Sequence, residues 1–219
     1  MAAGKAVTAP GKDADVSATI ADLHFEFKGS RTYVHGTDIY NRIGEFACKS
    51  LGLNELTGIT YTLHRIMRTQ LRIEARRNER IRRHEATCVE FTARAGDDEW
   101  QFLLAENGQP VSGRYEYPED DIVALCDHDP VAKSFSLTAP TPFTDIEVIV
   151  AMNKGLVQKL FPDAPGKWFF TKLEMARHER RSPYGRLELT LVRNLGLKLT
   201  KTRIVRDGHE LGHIYFSIV

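Results

Sequence analysis

The sequence lacks the short motifs that mark the common catalytic and metal-binding families. It has three cysteines, Cys48, Cys88 and Cys126, too far apart in sequence to form a zinc-binding pair. There is no HExxH, CxxC or GxSxG motif and no glycine-rich phosphate-binding loop. We therefore expect free, buried thiols in a reducing compartment, no metal and no cofactor.

Excess charge and long apolar runs are also missing. The formal net charge is +1, so no global field would attract DNA or an anionic membrane. No apolar run approaches the roughly 20 residues that span a bilayer, and the N-terminus lacks the apolar segment of a secretory signal. These absences predict a cytoplasmic protein that binds neither membrane nor nucleic acid. Residues 1–18, small and polar with interspersed Gly and Pro, predict a flexible tail.

What is present is a pattern that occurs twice. In ADLHFEFKG (21–29) bulky apolar residues alternate with other residues, which is typical of a strand with one buried face. A helical pattern follows and ends at Gly52, a residue that favours helix termination. From residue 133, KSFSLTAPTPFTDIEVIVAMNKGLVQKLF repeats this order. The triplet Thr-Asp-Ile begins both helices. Its Thr or its Asp can accept a hydrogen bond from a first-turn N–H group, and we favour Asp38 and Asp145 as the caps.

The repetition continues beyond the helices. GITYTLHRIM (58–67) and KWFFTKLEMA (167–176) both alternate as extended strands do. Asn107-Gly108 and Asp207-Gly208 both predict tight hairpin turns, which require positive φ. We predict two similar domains, residues 19–125 and 126–219, with the join between Glu119 and Lys133.

The segment His64–Ala86 allows two interpretations. It is rich in helix formers and could be one long basic helix whose arginines, Arg76, Arg77, Arg80, Arg82 and Arg83, grip phosphates. The matching part of the second half contains Pro183 and Gly185, which disfavour a helix. We therefore favour a strand, a charged turn and a second strand, while nucleic-acid binding through this segment remains an alternative function.

Each half thus reads strand, helix, then three or four antiparallel strands. This order resembles the hotdog fold, in which a curled antiparallel sheet wraps a central helix. The predicted class is α+β, a double hotdog with two antiparallel sheets, each wrapping a central helix. Joining the sheets edge to edge within one chain would remove exposed strand edges.

The second half also resembles hotdog thioesterases that act on long-chain acyl-CoA. The residues that carry this resemblance are Phe143, Glu147, Ile149 and Asn153. ENGQPVSGRYEY (106–117) is similar to the closing hairpin of that family, and tandem hotdogs of fatty-acid and polyketide pathways, including dehydratases, have a similar layout. The resemblance implies an enzyme that acts on an acyl thioester of CoA or an acyl carrier protein. The alternative from another class is a non-catalytic acyl-binding or regulatory module.

In hotdog enzymes, as the resemblance implies, the thioester lies between the domains and its carbonyl meets a helix N-terminus. Free N–H groups and the helix dipole there stabilise a developing oxyanion. The candidate catalytic residues are Tyr33, His35, Asp38, Glu147 and Asn153. The candidate substrate-binding residues are Tyr40, Asn41, Arg65, Arg68 and Arg177. A simple helix cap is the competing role for Asp38, and a loop hydrogen bond is the competing role for His35. A homodimer is a further expectation.

Overall fold

The computed structural model describes residues 18–178 and 185–218. Residues 1–17 of the predicted tail, and Arg180, Arg181 and Pro183 of the second-half turn, lie outside the described residues. The elements of the first half are β1 (Thr19–Leu23), β2 (Phe27–Lys28), α1 (Gly36–Leu51), β3 (Thr57–Leu63), β4 (Thr69–Arg77), β5 (Thr87–Ala95), β6 (Asp98–Pro110) and β7 (Arg114–Tyr115).

The second half repeats this order after a short helix. Its elements are α2 (Glu119–Ala124), β8 (Asp127–Asp129), β9 (Ser134–Leu137), α3 (Asp145–Leu160), β10 (Trp168–Arg177), β11 (Leu187–Leu195), β12 (Leu199–Arg206) and β13 (His209–Ile218). The join predicted between Glu119 and Lys133 therefore contains α2 and β8. No helix among the described residues combines the length and hydropathy that crossing a membrane demands.

A single antiparallel sheet of 11 strands replaces the two predicted sheets. Its order is β1-β4-β6-β5-β3-β10-β13-β12-β11-β9-β8, so the halves meet where β3 pairs with β10. In that seam Tyr61 lies opposite Leu173 and Ile59 opposite Met175. The α+β class and the predicted edge-to-edge join are confirmed, but because the join merges both halves into one sheet, the predicted count of two sheets was wrong. Pairing the two inner edges satisfies backbone groups that would otherwise be exposed.

The arginine-rich segment contains no continuous helix. Strand β4 ends at Arg77 and β5 begins at Thr87, with an irregular connection between them. The strand–turn–strand interpretation is confirmed. Several of the arginines pair with local carboxylates: Arg76 with Glu74 at 2.9 Å and Arg77 with Asp98 at 3.7 Å.

The two halves differ in how their outer strands connect. In the second half β11, β12 and β13 follow one another in space, whereas in the first half β6 lies between β4 and β5. The predicted turn at Asp207-Gly208 is confirmed by positive φ values of 50° and 80° between β12 and β13. The turn predicted at Asn107-Gly108 was wrong. This dipeptide lies inside β6, where the register against β4 shifts. Gly108 is therefore part of a β-bulge.

Both helices bury one or more faces against the sheet. On α1, Ile39, Ile43 and Phe46 are buried at helical spacing, and the Tyr61 hydroxyl of β3 donates to the Gly36 carbonyl at 2.8 Å. Helix α3 is more deeply enclosed and is buried on nearly all sides. Gly52 ends α1 with φ of 71°, as predicted.

The threonine of the predicted triplet caps α3, whereas α1 begins before its triplet. The N-cap residues are His35 and Thr144, so Asp38 is the third residue of α1 and Asp145 is the first of α3. The repeated Thr-Asp-Ile triplets therefore occupy different helical phases. The structural counterpart of Asp38 is Glu147, the third residue of α3.

A two-stranded parallel ribbon lies apart from the main sheet. The strand predicted over 21–29 is broken: β1 joins the large sheet, and β2 pairs with β7 in the ribbon. The break places Lys28, on β2, beside the starts of both long helices. The ribbon is therefore the element that brings side chains of the first half onto α3.

Close approach of β10 to β13 makes Gly212 irreplaceable. Its φ is 148°, and a Cβ there would lie 1.9 Å from the Glu174 carbonyl oxygen. We expect Gly212→Ala to lower the free energy of unfolding by about 3 kcal/mol or more, since overpacking and backbone strain each cost about 1–3 kcal/mol. Gly208→Ala, with φ of 80° and open space around it, is the matched control and should cost only the strain. Equal losses in urea denaturation would contradict this account.

Candidate functional site

A cleft of about 1410 Å³ opens at the seam between the two halves. Its walls come from the loop before α1, the end of β3, the segment after β7, one face of α3 and the start of β10. The residues that form it include Arg31, Tyr33, His35, Gly36, Leu63, Arg65, Met67, Arg68, Tyr117, Glu119, Val150, Lys154, Phe161, Lys167, Trp168, Phe169, Phe170 and Phe216.

The cleft combines an aromatic wall with a cationic rim. The wall is formed chiefly by Phe161, Trp168, Phe169 and Phe170. The cations are contributed from both halves, and they are Arg31, Arg65, Arg68, Lys154 and Lys167. Such a lining suits a ligand with an apolar part and a strongly anionic part.

The start of α1 opens into this cleft. Gly36, the first helical residue, lines it, and a Cβ there would lie 2.8 Å from Leu63 and 3.1 Å from Phe170. The missing side chain thus lets α1 approach β3 and β10 closely. The first N–H groups of a helix have no intrahelical acceptor, so the cleft receives the positive end of the α1 dipole.

His35 is held at this helix start as a neutral imidazole. The residue is 7% exposed, and Nδ1 lies 2.7 Å from Thr37 Oγ1. Burial, and then the positive charges of Arg31, Lys28 and Lys154, hold the pKa of His35 well below its usual value. Within the described residues Nε2 has no hydrogen-bond partner, which leaves it for a ligand in the cleft.

Lys28 connects the two helix starts. The ammonium group is fully buried and donates to Thr37 Oγ1 at 3.0 Å, to Asp38 Oδ1 at 2.9 Å and to Glu147 Oε1. Burial favours a raised pKa for Glu147, but Lys28 and two hydrogen bonds from Thr144 outweigh burial and lower it. Glu147 is therefore ionised, and it also completes the N-cap of α3 through the Thr144 N–H at 2.8 Å.

Two tyrosines at and just beyond β7 cover the lysine. The Lys28 Nζ lies 4.2 Å from the ring centroid of Tyr117, and the Tyr115 hydroxyl donates to Asp38 Oδ2 at 2.7 Å. Burial and the neighbouring carboxylates raise the pKa of both phenols, so each remains a hydrogen-bond donor. The ammonium group of Lys28 is thereby shielded from bulk water, whereas the side chains of Asp38 and Glu147 keep 15% and 13% exposure.

Glu119 forms a second bridge between the halves at the cleft. Its Oε2 accepts from Arg31 at 2.6 Å and from Lys154 of α3 at 2.6 Å. The other oxygen, Oε1, is buried without a partner among the described residues. Arg31 and Lys154 thus share one carboxylate, and Asp120 is a further acidic residue of the cleft lining.

A smaller cavity of about 660 Å³ lies on the other side of Lys28. Asp38, Asn41, Thr144 and Glu147 line it, and Asn41 Nδ2 donates to Thr144 Oγ1 at 3.1 Å. The two cavities share no lining residue, and both carboxylate partners of Lys28 line the smaller one.

The structure gathers some predicted site residues and disperses others. Tyr33, His35, Arg65 and Arg68 line the large cleft. Asp38, Glu147 and Asn41 line the smaller cavity.

Three predicted site residues lie in neither cavity. Tyr40 is buried in the core and stacks on His178 with centroids 4.7 Å apart. Asn153 is fully buried in α3, and neither of its amide atoms has a partner among the described residues. Arg177 is the last residue of β10, and the cleft-lining Trp168 is the first residue of the same strand.

Several residues of the site escaped the sequence analysis. Lys28 carried no signal, because its partners are 9 to 119 residues away and all appear only after folding. Thr37 was assigned only to helix capping, and Glu119 only to an acidic join. The sequence did show that Arg31 lies two residues before Tyr33 and four before His35, and this proximity could have indicated that Arg31 belongs to the same site.

In the described part of the chain, no three His, Cys, Asp or Glu side chains cluster closely enough to hold a metal ion. His209 and His213 both lie on strand β13.

The comparisons with known proteins give weak likenesses only. No family model matches the chain, and no curated protein matches its sequence. Among solved structures, a tesB protein of Mycobacterium avium subspecies paratuberculosis is similar, with a TM-score of 0.47, 12% identity and 91% of each chain covered. An acyl-ACP thioesterase from Bacteroides thetaiotaomicron has a TM-score of 0.45 and 13% identity, covering 92% of this chain and 97% of that one.

A third similar structure is the dehydratase domain of PpsC from Mycobacterium tuberculosis. It has a TM-score of 0.46 and 10% identity, covering 92% of this chain and 93% of that one. Similarity at this level does not identify a reaction, so function must be argued from the site itself.

Removing the charge of Lys28 should destabilise the fold strongly. Lys28→Met would leave two adjacent carboxylates without their shared cation, and we expect a loss of about 3 kcal/mol in the free energy of unfolding. Lys49→Met is the control, because Lys49 pairs with Glu45 at 3.5 Å on the surface and should contribute under about 1 kcal/mol. Chemical denaturation measures both, and a small loss at Lys28 would contradict its central role.

The lowered pKa of His35 predicts a specific pH dependence of stability. Below about pH 6.5 the unfolded chain takes up a proton at this residue while the folded chain does not, so stability falls as pH falls. The slope contributed by one such group is at most about 1.4 kcal/mol per pH unit. His35→Asn should remove this contribution between about pH 6.5 and 5. Parallel unfolding profiles for the two proteins in that range would disprove it.

Proposed function

We propose that the chain binds an acyl thioester in the large cleft and acts on it at the start of α1. One observation carries this proposal: an aromatic wall, a cationic rim and a helix N-terminus meet in a single cleft. An acyl thioester of CoA or of a carrier protein has a matching apolar chain, phosphate groups and polarised carbonyl. The reaction class is thioester hydrolysis or a related acyl-processing step such as dehydration.

The acyl chain would lie along the aromatic wall. Phe169 and Phe170 at the start of β10, and Phe161 after α3, supply apolar contact. Each buried methylene would contribute about 0.8 kcal/mol, so affinity should rise with chain length until the wall is covered.

The phosphate groups would lie at the outer rim of the cleft. Arg65 and Arg68 are exposed there, between β3 and β4. Arg68 is the principal candidate, because Nε and Nη2 of Arg65 already donate to Cys88 Sγ and the Ala86 carbonyl. Arginine suits phosphate oxygens because its planar guanidinium can donate two parallel hydrogen bonds.

The carbonyl would lie at the helix start beside His35. Its developing negative charge would be stabilised by the α1 dipole and by the nearby charges of Arg31 and Lys154. A neutral imidazole at this position could donate or accept a hydrogen bond. Tyr33, which also lines the cleft, is a further candidate donor.

Measurements of binding and of turnover test separately whether the cleft holds an acyl thioester and whether the protein hydrolyses it. We expect acyl-CoA to bind more tightly than CoA or the free fatty acid alone, measured by calorimetry over a series of chain lengths. Release of free thiol would report hydrolysis. His35→Asn should reduce turnover at least about tenfold while retaining binding, since it keeps a polar group but loses the imidazole.

The rim is tested by charge removal. Arg68→Gln should weaken acyl-CoA binding about tenfold, the value of one charge-assisted hydrogen bond. Arg94→Gln, on the exposed part of β5 outside the cleft, is the matched control. Absence of acyl-CoA binding by the unaltered protein would overturn the proposal.

A second candidate function is acyl binding without catalysis. It is favoured by Lys28, which engages the carboxylates of Asp38 and Glu147 and so keeps both from activating water. Tight acyl-CoA binding without thiol release would support this alternative.

A further inference from the structure

Lys28, Thr37 and His35 form a chain of hydrogen bonds that ends at the cleft. Lys28 Nζ is 3.0 Å from Thr37 Oγ1, which is 2.7 Å from His35 Nδ1. The lysine and threonine are fully buried, and the histidine is nearly so. Ion pairs fix the Lys28 end of this chain, and His35 faces the cleft at the other end. The direction in which each hydrogen bond is donated therefore decides which nitrogen of His35 carries the proton.

The ammonium group fixes the first link. Its three protons are all used, toward Thr37, Asp38 and Glu147. Thr37 Oγ1 is therefore an acceptor from Lys28, because an ammonium group has no lone pair. The hydroxyl retains one proton to donate.

Two acceptors compete for that hydroxyl proton. Asp38 Oδ1 lies 3.3 Å away, beyond the usual 2.5–3.0 Å of an O–H···O bond. This carboxylate already accepts from Lys28 at Oδ1 and from Tyr115 at Oδ2. His35 Nδ1, at 2.7 Å, is at the favoured distance.

The opposite arrangement is electrostatically poor. If His35 donated from Nδ1, Thr37 Oγ1 would accept from both a cation and an N–H group, and its own proton would have only the long contact to Asp38. Two donors directed at one oxygen beside a buried positive charge repel each other. The geometry thus favours a hydroxyl that accepts from Lys28 and donates to His35.

We infer that Lys28 and Thr37 hold His35 in the tautomer that carries its proton on Nε2. His35 then presents an N–H group to the cleft and acts as a hydrogen-bond donor to the ligand, not as a proton acceptor. Building on the proposed function, the acceptor is the thioester carbonyl oxygen, whose developing negative charge the N–H would stabilise together with the α1 dipole. Lys28 and Thr37 are positioning residues in this arrangement.

The tautomer can be observed without any ligand. Two-bond nitrogen–proton correlation spectra of the full chain with labelled histidine, assigned by comparison with His35→Asn, distinguish protonated Nδ1 from protonated Nε2. At neutral pH we expect a neutral ring with the proton on Nε2. A ring protonated on Nδ1, or on both nitrogens, would overturn the inference.

Variants of Thr37 test the link that sets the tautomer. Thr37→Val keeps the shape and removes the hydroxyl, and we expect the His35 signals to shift toward a mixture of tautomers. Thr37→Ser restores the hydroxyl and should restore the pattern. Thr171→Val is the control, since its hydroxyl lies in the same cleft but bonds to the Tyr215 carbonyl at 3.2 Å. An unchanged His35 spectrum in Thr37→Val would contradict the positioning role.

Failure of this inference differs from failure of the proposed function. A protein that binds no acyl thioester but has the Nε2–H tautomer retains the Lys28–Thr37–His35 chain and loses only its assigned ligand. A protein that binds the thioester with His35 in the Nδ1–H tautomer retains the ligand and loses the donor role.

Discussion

The structure depends on one buried ammonium group shared by two helices. Lys28 is fully buried, and its three protons are donated to Thr37, Asp38 and Glu147. Burying a charge is costly unless it is paired and its hydrogen bonds are satisfied, and here both conditions hold. Because Asp38 belongs to α1 and Glu147 to α3, the same contact fixes the separation and direction of the two helix starts. The cleft between the halves follows from that geometry.

The two helix starts have equivalent positions but different chemistry. Thr144 caps α3 and is bound to Glu147, so this start is closed by its own side chains. The N-cap position of α1 is occupied by His35, which makes no capping hydrogen bond and lines the large cleft. The N-terminus of α3 therefore has a structural role, whereas the N-terminus of α1 is open to a ligand. The asymmetry arises at two positions of the helix start, where α3 has Thr144 and Glu147 and α1 has His35 and Asp38.

Local pattern in the sequence predicted the elements but not their long-range partners. The central helices, the strands β3 and β10 and the turn at Asp207-Gly208 depend on periodicity and turn chemistry, which a sequence displays directly. The single sheet, the bulge at Gly108 and the phase of the helix starts depend on contacts between distant segments. Of the candidate site, the Tyr33–His35 cluster was recognisable from sequence. Lys28 was not, since a lysine after an alternating strand normally lies on a solvated surface.

The charges around His35 connect its protonation to the proposed chemistry. Burial and the positive charges of Arg31, Lys28 and Lys154 disfavour a proton that would charge the ring. The same positive potential favours a negative charge on a ligand atom placed beside the ring, with no rearrangement of the protein. An environment that keeps the imidazole neutral is thus also one that stabilises an oxyanion. Since Glu119 neutralises only part of the charge of Arg31 and Lys154, this positive potential is supplied by the protein itself and depends on contacts between the two halves.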